Sequence, residues 1–495
     1  MKVASVSSTC AVIATRADLP ETSGVSLGLA KTDVKASAEG VGNHRRGSCP
    51  SIHSSVCQRR RSPPTMTSFA LVLPVLVMAA TITAMPVHRR APRHSRTSNI
   101  AQVVNPTPLH VLDGNLRDGW RPSPSDVDRA RSYLIQDRLH DQDFNVLPHL
   151  ANKLAKYNAH NGVLSAIADA LQRHQERVNR YNSREIAMLL HSLAKRRIKK
   201  RVLFNALGNR ALEIMPDFNP QCVANTAWAF ATLSIQNRPL FNALGSRALE
   251  IISGFNPQNV ANTAWAFATV SVENLALFNA LANRGVETIS ESNPQHVANT
   301  MWAFSAVRFD PDDRIVEAMV GRTCFLYSDG SFSDEHLVQL HLWRLFVGES
   351  RFDSVVDRVC HVKTDVMVSR FRDAMSRTMQ LHVSRMEGEV VDALSRMYQP
   401  GYVVSGYICP GTGYSIDAAL PKERIAVEVN GPMHFLRDCC SNRVTSMNGA
   451  SRLKRYLLER YGWRIVDVNF EDWDKTGGDR EQQQELLQQL LAPFS

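Results

Sequence analysis

Residues 219–230 read NPQCVANTAWAF, and this stretch decides the fold of the chain. It returns as NPQNVANTAWAF at 256–267 and as NPQHVANTMWAF at 293–304, so each copy begins 37 residues after the one before. A second motif, LFNAL, keeps the same step and starts at Leu203, Leu240 and Leu277. A fixed period of this length predicts an array of identical structural units.

Each unit has the pattern of a helix pair. Asn219 is a good N-cap, and Pro220 occupies the first helical position, where its missing N–H costs nothing. Val223, Ala227 and Phe230 fall on one helical face, and LFNAL begins a second helix. Because one such pair cannot bury its apolar faces alone, stacked pairs predict an α-solenoid. Degenerate copies extend the array to five or six units over residues 145–350.

The repeated stretch carries polar positions that suit RNA. A glutamine is followed one helical turn later by an asparagine, and these amides could read base edges from the concave face. The alternative is that the asparagines cap or bridge the turns between repeats. The repeated tryptophans (Trp228, Trp265 and Trp302) lie within the apolar stripe, which favours core packing over base stacking. The predicted base-reading residues are Gln221, Asn225, Gln258, Asn262, Gln295 and Asn299.

The charge of the chain is distributed unevenly. The net charge is +10, but residues 1–110 contribute +9 of it, so global basicity does not indicate a binding face. One run of basic residues lies within the repeats at 195–201, and it is either a solvated face or an RNA contact. None of the nine cysteines forms a C-x-x-C pair, which argues against structural zinc and fits a reducing compartment. The run consists of Lys195, Arg196, Arg197, Lys199, Lys200 and Arg201.

Residues 1–110 have the character of a targeting leader. An apolar run at 69–84 follows a second possible start at Met66, and a basic, hydroxylated stretch without acidic residues follows at 87–98. The order resembles the bipartite plastid leaders of algae with complex plastids; a mitochondrial presequence or a membrane anchor are the alternatives. We expect a location in the plastid stroma or mitochondrial matrix, without stable membrane insertion of the mature form.

The C-terminal region changes from helical repeats to short strands. Strand-like runs occur at 402–404, 414–420, 424–429 and 463–468, with a helix at 449–461 and another at 479–492. The sequences IAVEVNGPMHF (425–435) and YLLERYGWRIVDVNFEDWDK (456–475) resemble a RAP domain, a family related to the Fas-activated serine/threonine kinase-like mitochondrial proteins. The 37-residue units resemble the octotricopeptide repeats of algal and apicomplexan organelle proteins.

These resemblances imply a mainly α chain, in which an α-solenoid precedes a small α/β domain with a restriction-endonuclease-like fold. The expected boundaries are a leader (1–110), a linker and first helix (111–144), the solenoid (145–350), a helical connector (351–400) and the RAP domain (401–495).

The same fold implies carboxylates at the ends of adjacent strands. Asp417 and Glu428 occupy those positions and could hold Mg²⁺ for phosphodiester hydrolysis, with His434 as a general acid or base. Two departures weaken this reading: Asn430 stands where the family usually has Asp, and no lysine follows in the E-x-K place. The alternative is that the two carboxylates have a structural role alone, in which they pair with nearby cations or cap turns.

Three functions remain open from the sequence. The favoured hypothesis is a protein that binds single-stranded organellar RNA, acting in RNA processing, stability, rRNA maturation or translation, with ribonucleoprotein partners and no cofactor. The second is an RNA endonuclease, which would require Mg²⁺. The third is a protein-interaction scaffold, since solenoids also bind peptides.

Overall fold

The computed structural model describes residues 107–117, 122–156, 160–328, 330–378 and 383–494, which lie within one compact unit. The leader expected for 1–110 lies outside these residues up to position 106, and the first helix begins at Pro108. None of the described helices combines the length and the apolar character needed to cross a membrane.

Fifteen α-helices in the described residues precede the α/β domain, and from α5 at 183 to α11 at 294 every second helix begins 37 residues after the last. The predicted α-solenoid is confirmed. The bounds are α1 Pro108–Arg117, α2 Pro124–Ile135, α3 Asp141–Leu154, α4 Asn161–Arg173, α5 Ser183–Lys195, α6 Arg201–Glu213, α7 Pro220–Thr232, α8 Arg238–Glu250, α9 Pro257–Thr269, α10 Leu275–Glu287, α11 Pro294–Ala306, α12 Asp313–Tyr327, α13 Asp334–Val347, α14 Glu349–Val359 and α15 Thr364–Thr378.

The repeated asparagine begins the first helix of each unit, as the sequence predicts. The Oδ1 atoms of Asn219, Asn256 and Asn293 each accept a hydrogen bond from the backbone N–H three residues on, at 2.9 Å. This bond satisfies one of the free donors at the helix start and contributes about 1 kcal/mol per helix.

Each first helix ends in a turn with one residue in the left-handed region. These residues are Arg197, Ser234, Ser271 and Arg308, with φ between 52° and 57°, and they follow one another at the 37-residue step. We call the side of the solenoid formed by these turns the turn edge. Left-handed backbone is costly for residues other than glycine, so packing around each turn must hold it in place.

The helices form two rows. In the first row, α3, α5, α7, α9, α11, α13 and α15 pack closely side by side, whereas the helices between them form a second row whose members touch far less. Small alanines in the repeated stretch permit this close approach. Neighbours on the inside of a curved stack lie closer together than those on the outside, so we infer that the closely packed first row lines the concave face.

Phenylalanine side chains join the two rows. Phe204 meets Phe230 edge to face with ring centroids 5.3 Å apart, and Phe241 meets Phe267 in the same way at 5.0 Å. All four rings are fully buried. Burying each one stabilises the array by about 1.5–3 kcal/mol.

A repeated arginine of the second row joins successive units. The Nε atoms of Arg210, Arg247 and Arg284 donate to the carbonyl oxygens of Tyr181, Phe218 and Phe255, at 3.2, 3.0 and 2.8 Å. Each carbonyl lies 29 residues earlier in the chain. A charged donor on a backbone carbonyl is one of the stronger hydrogen bonds, so these arginines stabilise the stacking of units.

The helices of the expected connector (351–400) differ in what they pack against. Of the helices in the expected connector, α14 and α15 continue the solenoid, whereas α16 (Arg385–Met397) packs on the sheet and the last helix. The remaining elements are β2 Val404–Ile408, β3 Ser415–Leu420, β4 Ile425–Asn430, β5 Phe435–Asp438, β6 Val444–Met447, α17 Gly449–Arg460, β7 Arg464–Asn469, α18 Phe470–Lys475 and α19 Arg480–Leu491.

Two sheets organise this domain. The larger has the order β2-β3-β4-β7, in which β2, β3 and β4 are antiparallel neighbours and β7 runs parallel to β4. The smaller consists of the β5–β6 hairpin and β1 (Ile235–Gln236), a two-residue strand from the turn between α7 and α8. The sheet β1-β5-β6 therefore joins the solenoid to the C-terminal domain.

The C-terminal domain packs along the turn edge of the solenoid. Arg437 N donates to Ser234 O at 3.2 Å, and in the next turn the Ser271 hydroxyl donates to Met447 O at 2.9 Å. The closest approach is at Gly449, where an added Cβ would lie only 2.1 Å from the carbonyl oxygen of Ala268. Glycine at this position is what allows the start of α17 to rest on the end of α9.

Candidate functional site

One face of each first-row helix points away from the second row. Phe230 faces α6, and Trp228 lies two residues away, about 200° around the helix, so Trp228 points to the concave side. Positions at spacings of four, three and four residues share this direction. We call them the concave stripe: Arg184, Met188, His191 and Lys195 in α5; Gln221, Asn225, Trp228 and Thr232 in α7; Gln258, Asn262, Trp265 and Thr269 in α9; Gln295, Asn299, Trp302 and Ala306 in α11.

The predicted base-reading amides lie on the concave stripe but differ in exposure. Gln221 and Gln258 are exposed and Gln295 is half-buried. Asn262 and Asn299 are buried, at 4% and 2% exposure. Asn225 is half-buried, like Gln295. Four of the six amides are thus at least partly open to solvent, Gln221 and Gln258 most of all, and base reading by the set stays a prediction.

The asparagines follow the alternative interpretation in part. Asn299 Oδ1 accepts a hydrogen bond from Gln339 Nε2 at 3.1 Å, which joins α11 to α13. Asn262 Oδ1 is buried and has no hydrogen-bond partner among the described residues. The Asn299–Gln339 bond is a bridge between repeats rather than a free reading group.

The tryptophans of the concave stripe are part of the core, as predicted. Trp228, Trp265 and Trp302 are only 6–7% exposed. Trp228 packs on His191 of the preceding unit at 4.9 Å between ring centroids, and Trp265 lies 6.5 Å from Trp302. These rings form a buried floor beneath the exposed glutamines.

The basic run occupies the end of α5, the following turn and the start of α6. Lys195 and Arg197 are exposed, and Arg197 also donates to Thr232 O at 3.3 Å. Lys200 forms an ion pair with Asp169 at 2.6 Å, and Arg196 donates to Asn161 Oδ1 at 2.7 Å. The remaining two, Lys199 and Arg201, lie near Arg437 of β5 in the C-terminal domain. Burial lowers the pKa of both, and the positive charge of Arg437 lowers it further.

The C-terminal domain contains a buried polar cluster on β3, β4 and α17. Glu428 of β4 is 6% exposed and forms an ion pair with Lys454 of α17. Asp417 of β3 accepts a hydrogen bond from Val429 N at 2.7 Å. Glu428 Oε1 is buried and has no hydrogen-bond partner in the described part of the chain. The antiparallel pairing of β3 with β4 thus brings the two predicted carboxylates to one site.

The other predicted residues of this region lie beside the cluster. His434 is half-buried, with Nδ1 3.0 Å from the Ser451 hydroxyl. Asn430 Nδ2 donates to Asp467 Oδ1 at 2.9 Å across the parallel β4–β7 pair. An aspartate at position 430 would place a second carboxylate against that of Asp467 and repel it, whereas the amide of Asn430 donates a hydrogen bond to it.

Comparisons with known proteins match both regions. Residues 427–490 match the RAP domain family, and residues 138–313 match the family described as RNA-editing substrate-binding complex 6 protein. The C-terminal part of the chain is a RAP domain. A rice protein (Oryza sativa subsp. japonica) named "RAP domain-containing protein, chloroplastic" is 28% identical over 123 residues. That match covers 25% of this chain and 17% of the rice protein.

Electrostatics single out the Glu428–Lys454 pair of the RAP domain. Burial raises the pKa of Glu428 to about 8, aided by the nearby charge of Asp417, and Lys454 offsets this only in part. Burial would lower the pKa of Lys454, but Glu428 and Asp417 raise it above its usual range. Lys454 therefore keeps its charge at neutral pH, whereas Glu428 titrates near it.

Burial also acts on two other groups of the RAP domain cluster. It lowers the pKa of His434, so this imidazole is neutral at pH 7 and can accept a proton. It raises the pKa of Glu387 on α16, where the charge of Asp417 adds to the effect. The cluster thus combines a neutral base with carboxyl groups that hold protons more tightly than usual.

Within the described residues, one group of three His, Cys, Asp or Glu side chains brings its ligand atoms within 4.8 Å of one another: Asp438, Cys439 and Cys440. Asp438 Oδ1 already accepts from the backbone of Cys440 and Ser441 in a tight turn. Asp417 and Glu428 belong to no such group, so they form a pair of carboxylates facing one lysine.

Sequence reasoning missed two members of the RAP domain cluster. Lys454 supplies the cation that is absent from the E-x-K place, and Glu387 comes from a helix that had been assigned to the connector. A signal for Lys454 was present: it lies three and four residues before Leu457 and Leu458, on the apolar face of α17. A lysine on a buried helical face requires a buried acidic partner.

Proposed function

We propose that this chain is an organellar RNA-binding protein whose solenoid binds single-stranded RNA along the concave stripe. The RAP domain, fixed to the turn edge, adds contacts at the side of the same groove. The outcome would be RNA processing, stability, rRNA maturation or translation, together with ribonucleoprotein partners. Binding of this kind requires no cofactor.

One observation carries the proposal. Arg184, Lys195, Gln221 and Gln258 follow one another along adjacent first-row helices, exposed above a floor of buried aromatic rings. Cationic and amide side chains in this order can contact the phosphates and base edges of an extended strand. All four lie within the region similar to the RNA-editing substrate-binding complex 6 family, whose name associates it with RNA, and this similarity supports the proposal.

The organellar location rests on two supports. The rice relative is named as chloroplastic, and the sequence of residues 69–98 has the order of an apolar run followed by a basic stretch. We propose the plastid stroma or the mitochondrial matrix, with no stable membrane insertion of the mature form.

The test is crosslinking of the full chain to RNA in its own cells, followed by sequencing of the bound RNA. We expect one short organellar region to be recovered. The double substitution Gln221→Ala with Gln258→Ala should weaken binding of that RNA about tenfold, equivalent to about 1.4 kcal/mol.

The matched control is Asn242→Ala with Asn279→Ala. These two amides are exposed at equivalent positions of α8 and α10, in the second row. Equal effects of the two double substitutions would contradict binding on the concave stripe. Recovery of no RNA would refute the proposal and favour a protein-interaction scaffold.

A second candidate function is RNA cleavage by the RAP domain. It is favoured by Asp417 and Glu428, which meet at one site, and by Glu428 Oε1, which has no protein partner among the described residues. Carboxylate oxygens are the donors that Mg²⁺ prefers, so these two residues would hold it, and the ion would polarise the phosphodiester. His434, neutral at pH 7, would accept the proton of the attacking group.

Cleavage is tested by mapping RNA ends near the crosslinked region. Ends that disappear with Glu428→Gln but persist with Asp472→Asn, an exposed acid of α18, would establish the nuclease. Unchanged ends in both variants would leave RNA binding as the function of the domain.

A further inference from the structure

Three cations meet where the solenoid joins the RAP domain. Lys199 and Arg201 come from the turn before α6 and its first residue, and Arg437 comes from β5. The sequence places them more than 230 residues apart, so only the fold brings the third to the other two.

Two sets of contacts fix the position of Arg437. The backbone of Arg437 is paired with Ile235 of β1, in the turn of the next repeat. The hairpin turn that follows rests on α6, where Asn205 Oδ1 lies 3.7 Å from Cys439 Sγ and 3.4 Å from Cys440 Sγ. Asn205 is one helical turn after Arg201, so the face of α6 that carries Arg201 is the face that meets the hairpin.

The three cations act on one another. Burial lowers the pKa of Lys199, and the charges of Arg201 and Arg437 lower it further. Burial and Arg437 do the same to Arg201. Lys199 is exposed, whereas Arg201 and Arg437 are half-buried. Like charges brought together at such a site repel, which costs stability unless an anion compensates.

No carboxylate compensates this cluster within the described residues. None of the three cations forms an ion pair there, and Arg201 Nη1 is buried without a hydrogen-bond partner. The adjacent Asp438 is engaged by backbone and hydroxyl donors of its own turn. The Arg437 side chain donates from Nη1 to Asn442 O at 3.2 Å, and its guanidinium carbon lies 5.8 Å from the centroid of the Phe470 ring.

We propose that Lys199, Arg201 and Arg437 form a composite binding site for a phosphate group of the bound RNA. A phosphodiester supplies the compact anion with several acceptor oxygens that guanidinium and ammonium donors suit. The site rests on the proposed RNA-binding function and extends it, because it requires both domains at once. It places the RNA backbone at the junction of the solenoid and the RAP domain.

The test is the salt dependence of RNA affinity, measured with a labelled oligouridylate on the full chain. For single strands, each neutralised phosphate contributes about −0.7 to the slope of log K against log salt concentration. We expect Arg437→Gln to reduce the steepness of the slope by about that amount. Lys199→Ala should do the same, whereas Arg437→Lys should retain the wild-type slope.

The charge-matched control is Arg480→Ala, an exposed arginine at the start of α19. If Arg437→Gln and Arg480→Ala give the same slope, the site is refuted while RNA binding itself stands. If a polyglutamate peptide binds through Arg437 while oligouridylate affinity is unchanged by Arg437→Gln, the cluster serves an acidic protein partner, and the proposal is wrong.

A second readout separates this site from the proposed function. Inorganic pyrophosphate should raise the melting temperature of the wild-type chain and of Arg480→Ala, but not that of Arg437→Gln. The same shift in a chain that recovers no RNA by crosslinking would refute the proposed RNA function and leave the anion site. If the wild-type chain shows neither the pyrophosphate shift nor RNA recovery, both proposals are refuted.

Discussion

Gly449→Ala should detach the RAP domain from the turn edge of the solenoid. The added Cβ would lie 2.1 Å from Ala268 O and 2.8 Å from the carbonyl carbon of the same residue. Both atoms belong to backbone, so no side chain can rotate to make room. The start of α17 must move away from the end of α9.

The size of the effect follows from the contacts near this point. An ordinary Cβ contact is 3.4 Å or more, so the two backbones must separate by about 1.3 Å. Overpacking of this kind costs about 1–3 kcal/mol. The same movement strains the Arg437–Ser234 backbone hydrogen bond and the Arg452–Glu273 ion pair, which adds about 1 kcal/mol. We expect a total loss of about 2–4 kcal/mol of unfolding free energy.

Two measurements check this expectation. Urea unfolding gives the loss of stability, and hydrogen exchange at Arg437 and Cys439, whose N–H groups pair with the turn at β1, reports whether the domain still docks. The control is Gly388→Ala in α16, where an added Cβ meets nothing within 4 Å. That change should stabilise the helix by about 0.5–1 kcal/mol. If Gly449→Ala keeps wild-type stability and protection, the reasoning is refuted.

Three further predictions concern single polar groups. The pKa of Glu428 is raised to about 8 in the folded chain, above its unfolded value, so its contribution to stability is complete below pH about 4.5 and is lost as the pH rises toward 8. Urea unfolding should show an unfolding free energy that declines with rising pH in that window, on the order of 1 kcal/mol per pH unit, and Glu428→Gln should abolish this decline. Arg247→Ala removes the donor to Phe218 O and should lower the unfolding free energy by about 1–2 kcal/mol in the same assay. Asn430→Asp should cost about 1–3 kcal/mol at pH 7, through repulsion by Asp467, and this loss should vanish at low pH, where the new carboxyl is protonated.

The sequence predicts those features that arise within one repeat or one strand. The caps at Asn219, Asn256 and Asn293 and the helical spacing after them are local signals, so the helices and their pairing follow directly. Three strands of the larger sheet, β3, β4 and β7, lie within one residue of their predicted bounds, because each is a short apolar run between turns. The fourth, β2, shares only Val404 with the run predicted at 402–404. The predicted RAP domain is confirmed by the family match over residues 427–490.

Contacts between distant segments were beyond the sequence. The two-residue strand β1 looks like an ordinary turn in isolation, and only its pairing with β5 makes it a strand. The sequence assigned α16 to the helical connector because this helix has the same amphipathic pattern as a solenoid helix. What distinguishes α16 is that it packs on the sheet. The sequence of a single helix does not show which element the helix packs against.

The docking of the RAP domain along the turn edge has a mechanical consequence. In a solenoid each unit contacts only its neighbours, so the curvature and pitch of the array can change when a ligand binds. Here the α/β domain contacts the turns at Ser234, Ser271 and Arg308 and therefore restricts movement of these units relative to one another. Among the described residues, the contacts to the C-terminal domain named above fall on helices and turns from α6 onward, so the helices before α5 are freer to adapt. A single-stranded RNA on the concave stripe would thus contact units of fixed spacing near the RAP domain and units of adaptable spacing at the N-terminal end.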